Sequence, residues 1–293
     1  MTQFRFLFKT VSGIALLGLG ATAWAQTDCL KDANGAITST STCYVQPDEY
    51  YLTIYKMGLC TAQPAPTPTV AADFSSCSTV FENTSGSRIK VIKGTSSALT
   101  GTMTRPPNGA YTFGYVIAEP KFEVKTQHTF SPDRSIAVIG AQKFSTCWST
   151  LGTAYVYDVT NPSTPATCGS TVSGNDVTTQ KMNSFSPTGA ISNATFSTTA
   201  GNVSAYLVDS SMKQSAGVSN SMGSITRLLG VAPMAVTVSA STTGMNSSFK
   251  VSQGSTVAMC DVNNAYCGTN NAVNGGSIVY FGGGPFAVLM TLQ

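Results

Sequence analysis

Apolar residues in this chain recur at every second position, in short runs, and almost never at the three-and-four spacing of an amphipathic helix. The runs are "EYYLTIYKM" (49–57), "RIKVIK" (88–93), "AYTFGYVIA" (110–118), "KFEVKTQHTF" (121–130), "SIAVIG" (135–140) and "TAYVYDV" (153–159). "NVSAYLVD" (202–209), "MAVTVSA" (234–240), "SFKVS" (248–252), "SIVYF" (277–281) and "FAVLMTL" (286–292) follow. Ser, Thr, Gly, Asn and Pro clusters separate them, supplying turn geometry and side-chain-to-backbone bonds. About eleven strands so punctuated predict an all-β fold, a disulfide-stabilised β-sandwich or two sandwich-like domains. A weak helical pattern survives only at "ITRLLGVAPMAV" (225–236).

Within "TMTRPPNGAYTFGYVIAEPKFEVKTQHTF" (102–130), Pro106-Pro107-Asn108-Gly109 reads as a turn. Tyr111, Phe113, Tyr115 and Ile117 then share one strand face, a core stripe. Pro120 ends that strand or marks an edge. Phe122, Val124, Thr126 and His128 alternate along the next run, so the two runs are expected as a central hairpin-like pair.

The eight cysteines are the second constraint: Cys29, Cys43, Cys60, Cys77, Cys147, Cys168, Cys260 and Cys267. An even number in an exported chain reads as disulfides, and short loops favour the neighbour pairs 29–43, 60–77, 147–168 and 260–267. Zinc is disfavoured, because C-x2-C knuckles are missing and there is one histidine.

Export itself is read from residues 1–25. Arg5 and Lys9 precede a short apolar run, and Ala23-Trp24-Ala25 makes a small-x-small cleavage site, as in a secretory signal peptide. The run is too short to span a bilayer, which takes about 20 residues, and no second membrane-spanning segment follows. The expected location is extracellular or at the cell surface, reached through the periplasm of a bacterium. Losing Arg5 and Lys9 removes two charges from the formal net +3, and only 10% of the chain is charged, so nucleic-acid binding is not expected. From Met182 to the end only Asp209, Lys213, Arg227, Lys250 and Asp261 carry charge. A composition shift near "TNPSTPATC" (160–168) places an N-terminal β-rich domain at 26–160 and a charge-poor C-terminal region at 161–293.

Catalytic constellations are sparse. His128 would have to serve any histidine-based triad, and it reads as a strand histidine with a satisfied hydrogen bond. Asp48-Glu49 beside Tyr50-Tyr51, and Glu119 with Glu123, are the dense carboxylates. Paired-acid hydrolysis needs facing positions, and surface solvation is their expected role. "DVNNAYCGTNN" (261–271) lacks the acids of a calcium loop and reads as a disulfide-closed turn. Trp148 is the only tryptophan after cleavage, a poor endowment for sugar stacking. No catalytic residue, cofactor or metal is expected.

"GGSIVYFGGGPFAVLMTLQ" (275–293) sets two apolar strands around a hinge-like Gly282-Gly283-Gly284-Pro285. A charge-free last strand is expected either to close a sandwich in its own chain or to complete a neighbour's sheet, with Phe286, Val288, Met290 and Leu292 on one face. In style, though without a diagnostic motif, the chain resembles donor-strand pilins and sandwich adhesins; the penultimate tyrosine and type IV leader are missing. The functional expectation is a secreted or surface structural protein, a filament-like subunit joined by sheet-edge or strand-exchange contacts to itself or to other envelope proteins. The alternative is a monomeric adhesin or glycan-binding module, which would show exposed tyrosines around a groove.

Overall fold

A computed structural model describes residues 27–92, 97–136, 142–157, 166–186, 189–198, 201–260, 277–284 and 287–293. The fold is all-β, with several sheets and three described disulfides. Its strands are β1 (Cys43–Val45), β2 (Glu49–Cys60), β3 (Cys77–Val91), β4 (Thr102–Met103), β5 (Gly109–Ala118), β6 (Lys121–Lys125), β7 (Gln127–Arg134), β8 (Phe144–Ser149) and β9 (Gly152–Tyr155). The second half supplies β10 (Ala166–Gly169), β11 (Thr178–Lys181), β12 (Asn193–Thr198), β13 (Gly201–Val208), β14 (Arg227–Val238), β15 (Met245–Lys250), β16 (Ser255–Met259), β17 (Ile278–Gly283) and β18 (Ala287–Leu292).

Ten strands form one sheet, in the order β12-β13-β14-β5-β2-β6-β11-β9, with β3 on the other edge of β2 and β4 beyond it. The expected hairpin of 110–118 with 121–130 does not form. β5 and β6 instead run in the same direction along one edge of β2, Cys60 facing Phe113 at one end and Glu49 facing Lys125 at the other. Pro120 has no N–H to donate, so the run bends there, and the sheet divides: β14 pairs with β5, and β11 pairs with β6. The second run also breaks at Thr126. Its N–H bonds the Ser149 hydroxyl, the Ser149 N–H returns to its carbonyl, and β7 continues in a different sheet, beside β8. The weak helical run at 225–236 is strand as well. It lies in β14, where pairing with β5 and β13 buries Leu228, Leu229 and Val231; tertiary pairing overrides the weak helical periodicity.

The large sheet has two unlike faces. Inward, Tyr50, Leu52, Ile54 and Met57 of β2 meet Val116, Phe122, Val124, Leu207 and Leu228 in the main core. Outward, the β13-β14-β5 half carries Tyr115, Ile117, Tyr206, Leu229 and Val231. This apolar patch is covered by the loop 61–76, whose Ala72 and Phe74 pack on it. Gln63 bonds Ser204, and Gln214 bonds the Pro66 carbonyl, fastening the loop as a strap. Cys60 and Cys77, directly opposed across β2 and β3, close its ends. The core stripe of β5 is thus present, with Phe113 half-buried and Tyr111 packed in a neighbouring cluster.

Two three-stranded sheets, β1-β16-β17 and β10-β8-β7, enclose a second core of Ile37, Phe130, Val257, Met259, Ile278 and Phe281. Cys29–Cys43 and Cys147–Cys168 border it. Cys260 is also disulfide-bonded; Cys267 and the calcium-like run 261–271 lie outside the described residues. Strands from both sides of the 160/161 boundary share sheets: β1 pairs with β16, β5 with β14 and β6 with β11.

The glycines at 282–284 are not a loose hinge. Gly282 and Gly283 belong to β17 and pair with Thr256 and Ser255. A Cβ on Gly283 would sit 3.0 Å from that of Phe122, and one on Gly284 would run into the Gln253 carbonyl. These residues let β17 approach β6 and β11 closely. Beyond Pro285 and Phe286, which lie outside the described residues, β18 pairs with β15 of its own chain, Val288 facing Phe249, Met290 facing Ser247 and Leu292 facing Met245. Met245 and Phe249 pack against the main core, so the β15–β18 ribbon is anchored over one end of it.

Candidate functional site

Where the strap does not reach, the outer face of the large sheet is open and polar. Alternation along β2 turns Glu49, Tyr51 and Thr53 outward, while Tyr50, Leu52 and Ile54 are buried. The neighbours in register are Lys90 and Arg88 of β3 on one side and Glu123 and Lys125 of β6 on the other. Lys121 and Lys181 lie opposite one another further out, followed by Tyr155. All four glutamates of the chain, Glu49, Glu82, Glu119 and Glu123, lie in this region, and each is ion-paired. The aspartates behave differently: Asp32, Asp73, Asp176 and Asp209 accept backbone N–H groups in turns.

The pairs have a vertical order. Arg88 donates to Glu123 from both Nε and NH2 and lies with its guanidinium 4.0 Å from the Tyr51 ring centre. Lys90 holds Glu49 at 2.8 Å, and this ammonium, with the Tyr51 hydroxyl, keeps the Glu49 carboxyl below its ordinary range. Lys121 bridges Glu119 at 3.1 Å and Glu123 at 3.6 Å. The Arg88 side chain is 51% exposed and Glu123 17%; Lys90 is 40% exposed and Glu49 23%. In these two pairs the carboxylate lies beneath and the cation outside, whereas Glu82 is more exposed than its partner Lys56. Arg227 covers the Tyr55 ring at 3.9 Å, and Lys181 donates to the Tyr155 hydroxyl at 3.4 Å. Exposed ion pairs of this kind contribute about 0–1 kcal/mol each, so fold stability alone does not account for the array.

The carboxylates weighed for hydrolysis are thus tied into ion pairs: Glu119 and Glu123 share the Lys121 ammonium, and Glu49 is held by Lys90, while Asp48 is exposed before β2. His128 meets the Thr126 hydroxyl at 2.6 Å and lies near Phe281. Thr126 is wholly buried, out of reach of a substrate. Burial, with the Lys31 charge, lowers the His128 pKa to about 4. Trp148 is core, its indole N–H donating to the Ser173 carbonyl. An open cleft of about 470 Å³ runs between Asp28, Lys31 and Tyr44 and Ser252 and Gln253, with Gln253 bonded to Asp28. Among the described residues no group of three or more His, Cys, Asp or Glu side chains could hold a metal, and no helix is long and apolar enough to cross a membrane.

Of the strand expected to mediate assembly, Phe286 lies outside the described residues, whereas Val288, Met290 and Leu292 fall at alternate positions of β18. β15 is the one described strand that pairs with β18. The cationic face was missed by sequence reading, although Arg88 and Lys90 in "RIKVIK" and Lys121, Glu123 and Lys125 in "KFEVK" announce it by placing charges at alternate positions. What they do not announce is that the two runs flank the same strand. No protein-family model, no curated protein and no solved structure matches this chain.

Proposed function

We propose that this protein is an exported structural component of a bacterial cell surface whose copies associate edge to edge through the β15–β18 ribbon. One observation carries the reading. β18 is six residues long, contains neither charge nor proline, and pairs on one side with β15 and on the other with no described strand. Natural sheets guard such edges with lysine, proline or bulges; an unguarded edge supplies main-chain donors and acceptors for another copy. The disulfides fit an oxidising compartment, and residues 1–25 fit an export leader. Association is by addition to a standing edge. The glycines before β18 are packed too closely to act as a pivot, so exchange of the strand is not required.

The test is sedimentation velocity and electron microscopy of the oxidised, leader-free protein beside Thr291→Lys, which places a charge on the β18 edge. Concentration-dependent oligomers or fibres that the substitution abolishes are expected. A monomer at every concentration would overturn the reading, as would oligomers indifferent to the substitution.

A further inference from the structure

We infer that the open half of the large sheet is a binding surface for a polyanionic polysaccharide, one bearing carboxylate or sulfate groups along its length. The inference does not depend on the assembly reading, since the surface lies on β2, β3, β6 and β11, not on the ribbon. Three features carry it. The first is sign: Lys56, Arg88, Lys90, Lys121, Lys125, Lys181 and Arg227 face the four glutamates and Asp48, seven cations against five carboxylates, leaving an excess of positive charge.

The second is depth. The carboxylates under Arg88 and Lys90 are the less exposed partners, so a ligand approaching from solvent meets N–H donors first. Carboxylates below also fix the donors in place, reducing the ordering cost of binding. Arg88, stacked on Tyr51 and held by Glu123, keeps NH1 for a ligand, whereas Lys125 and Lys181 form no ion pair among the described residues.

The third is concentration of charge on an otherwise charge-poor molecule. Fields from dispersed charges cancel or are screened, but a row of cations on adjacent strands about 4.8 Å apart adds along an extended polyanion. Among the described residues of this face each tyrosine ring already carries a cation, Arg88 on Tyr51, Arg227 on Tyr55 and Lys181 on Tyr155, so none is a bare stacking platform for neutral sugars or bases. Recognition therefore rests on charge and N–H donation, which suits acidic sugars and excludes neutral ones.

The experiment measures binding of the full leader-free protein to immobilised heparin, to alginate and to neutral dextran across a salt series, with duplex DNA as a competitor. Binding to either acidic polysaccharide, weakening with salt, and none to dextran are expected; which of the two binds more tightly separates sulfate from carboxylate. Lys125→Gln with Lys181→Gln, which breaks no ion pair, should weaken the dissociation constant by about five-fold per cation. Lys143→Gln, an exposed lysine just before β8 in a different sheet, should leave it unchanged. Retention no better than on dextran, or equal loss from Lys143→Gln, would overturn the inference. Duplex DNA that competes as strongly as free heparin would overturn the assignment to polysaccharide.

Discussion

The Tyr50 hydroxyl donates to the carbonyl of Gly284 at 3.2 Å, joining the buried face of β2 to the end of β17 across 234 residues of chain. Tyr50 is fully buried, and burial raises its pKa well above the ordinary phenol value, so it remains a neutral donor. Tyr50→Phe keeps the ring and removes the bond, stranding the carbonyl. The expected loss is about 1–2 kcal/mol, read by calorimetry as a Tm lower by about 2–8 °C. An unchanged Tm would mean that glycine packing alone holds the seam.

That packing has its own test. A methyl on Gly284 meets backbone, the Gln253 carbonyl, which cannot rotate away, whereas a Cβ on Gly189 meets nothing within 4 Å. Gly284→Ala should destabilise by about 1–3 kcal/mol through displaced backbone, and Gly189→Ala should be neutral or stabilising by up to about 1 kcal/mol. Denaturant midpoints of the two variants, compared at constant m-value, separate them. Equal midpoints would show that β17 can slide outward at no cost, restoring the hinge.

The strap predicts a local effect. Cys60 and Cys77 close a loop with a sequence separation of 17, worth about 3 kcal/mol in chain entropy. Removing both sulfurs as Cys60→Ser with Cys77→Ser loosens 61–76 and uncovers Tyr115, Tyr206 and Leu229. Faster proteolysis within 61–76 and increased binding of an apolar dye are expected while β2 and β5 stay paired. Cleavage elsewhere first would mean that the strap is held by Gln63 and Gln214 rather than by the disulfide.

Alternation made much of this legible. The buried set of β2 and the stripe on β5 follow from period two, and neighbour pairing of cysteines follows from loop length. Strands rich in Ser and Thr escaped: Thr178–Lys181 and Asn193–Thr198 are held by pairing with β6 and β13, with no alternating apolar run to announce them. Pairing order escaped too. Nothing local says that Pro120 bends one continuous run along β2, or that Asn183, wholly buried, is satisfied by the Tyr157 and Val218 carbonyls. Arg88 over Tyr51 is of the same kind, a contact made by register between runs distant in sequence. The glycines at 282–284 read as a pivot because sequence shows missing side chains without showing what occupies their place.

His128 gives the fold an acid dependence whose sign and window are fixed. Its pKa falls from 6.5 to about 4 in the folded protein, chiefly through burial and then through the Lys31 charge. The unfolded chain therefore takes up a proton near pH 6.5, while the folded chain takes it up only near pH 4. Between those values the unfolded state binds more protons, so stability falls as pH is lowered, by at most about 3 kcal/mol, and by less where the ring's open edge is screened. His128→Gln cannot titrate and can still bond the Thr126 hydroxyl. Its Tm should fall less than that of the unaltered protein between pH 6.5 and 5. The comparison belongs in that range because Glu49, held below its ordinary value of 4.5, contributes stability that is lost only as pH falls through the carboxylate range. Parallel Tm curves for the two proteins from pH 6.5 to 5 would show that the imidazole accepts its proton in the folded state without penalty, and that water reaches the ring between β7 and Phe281.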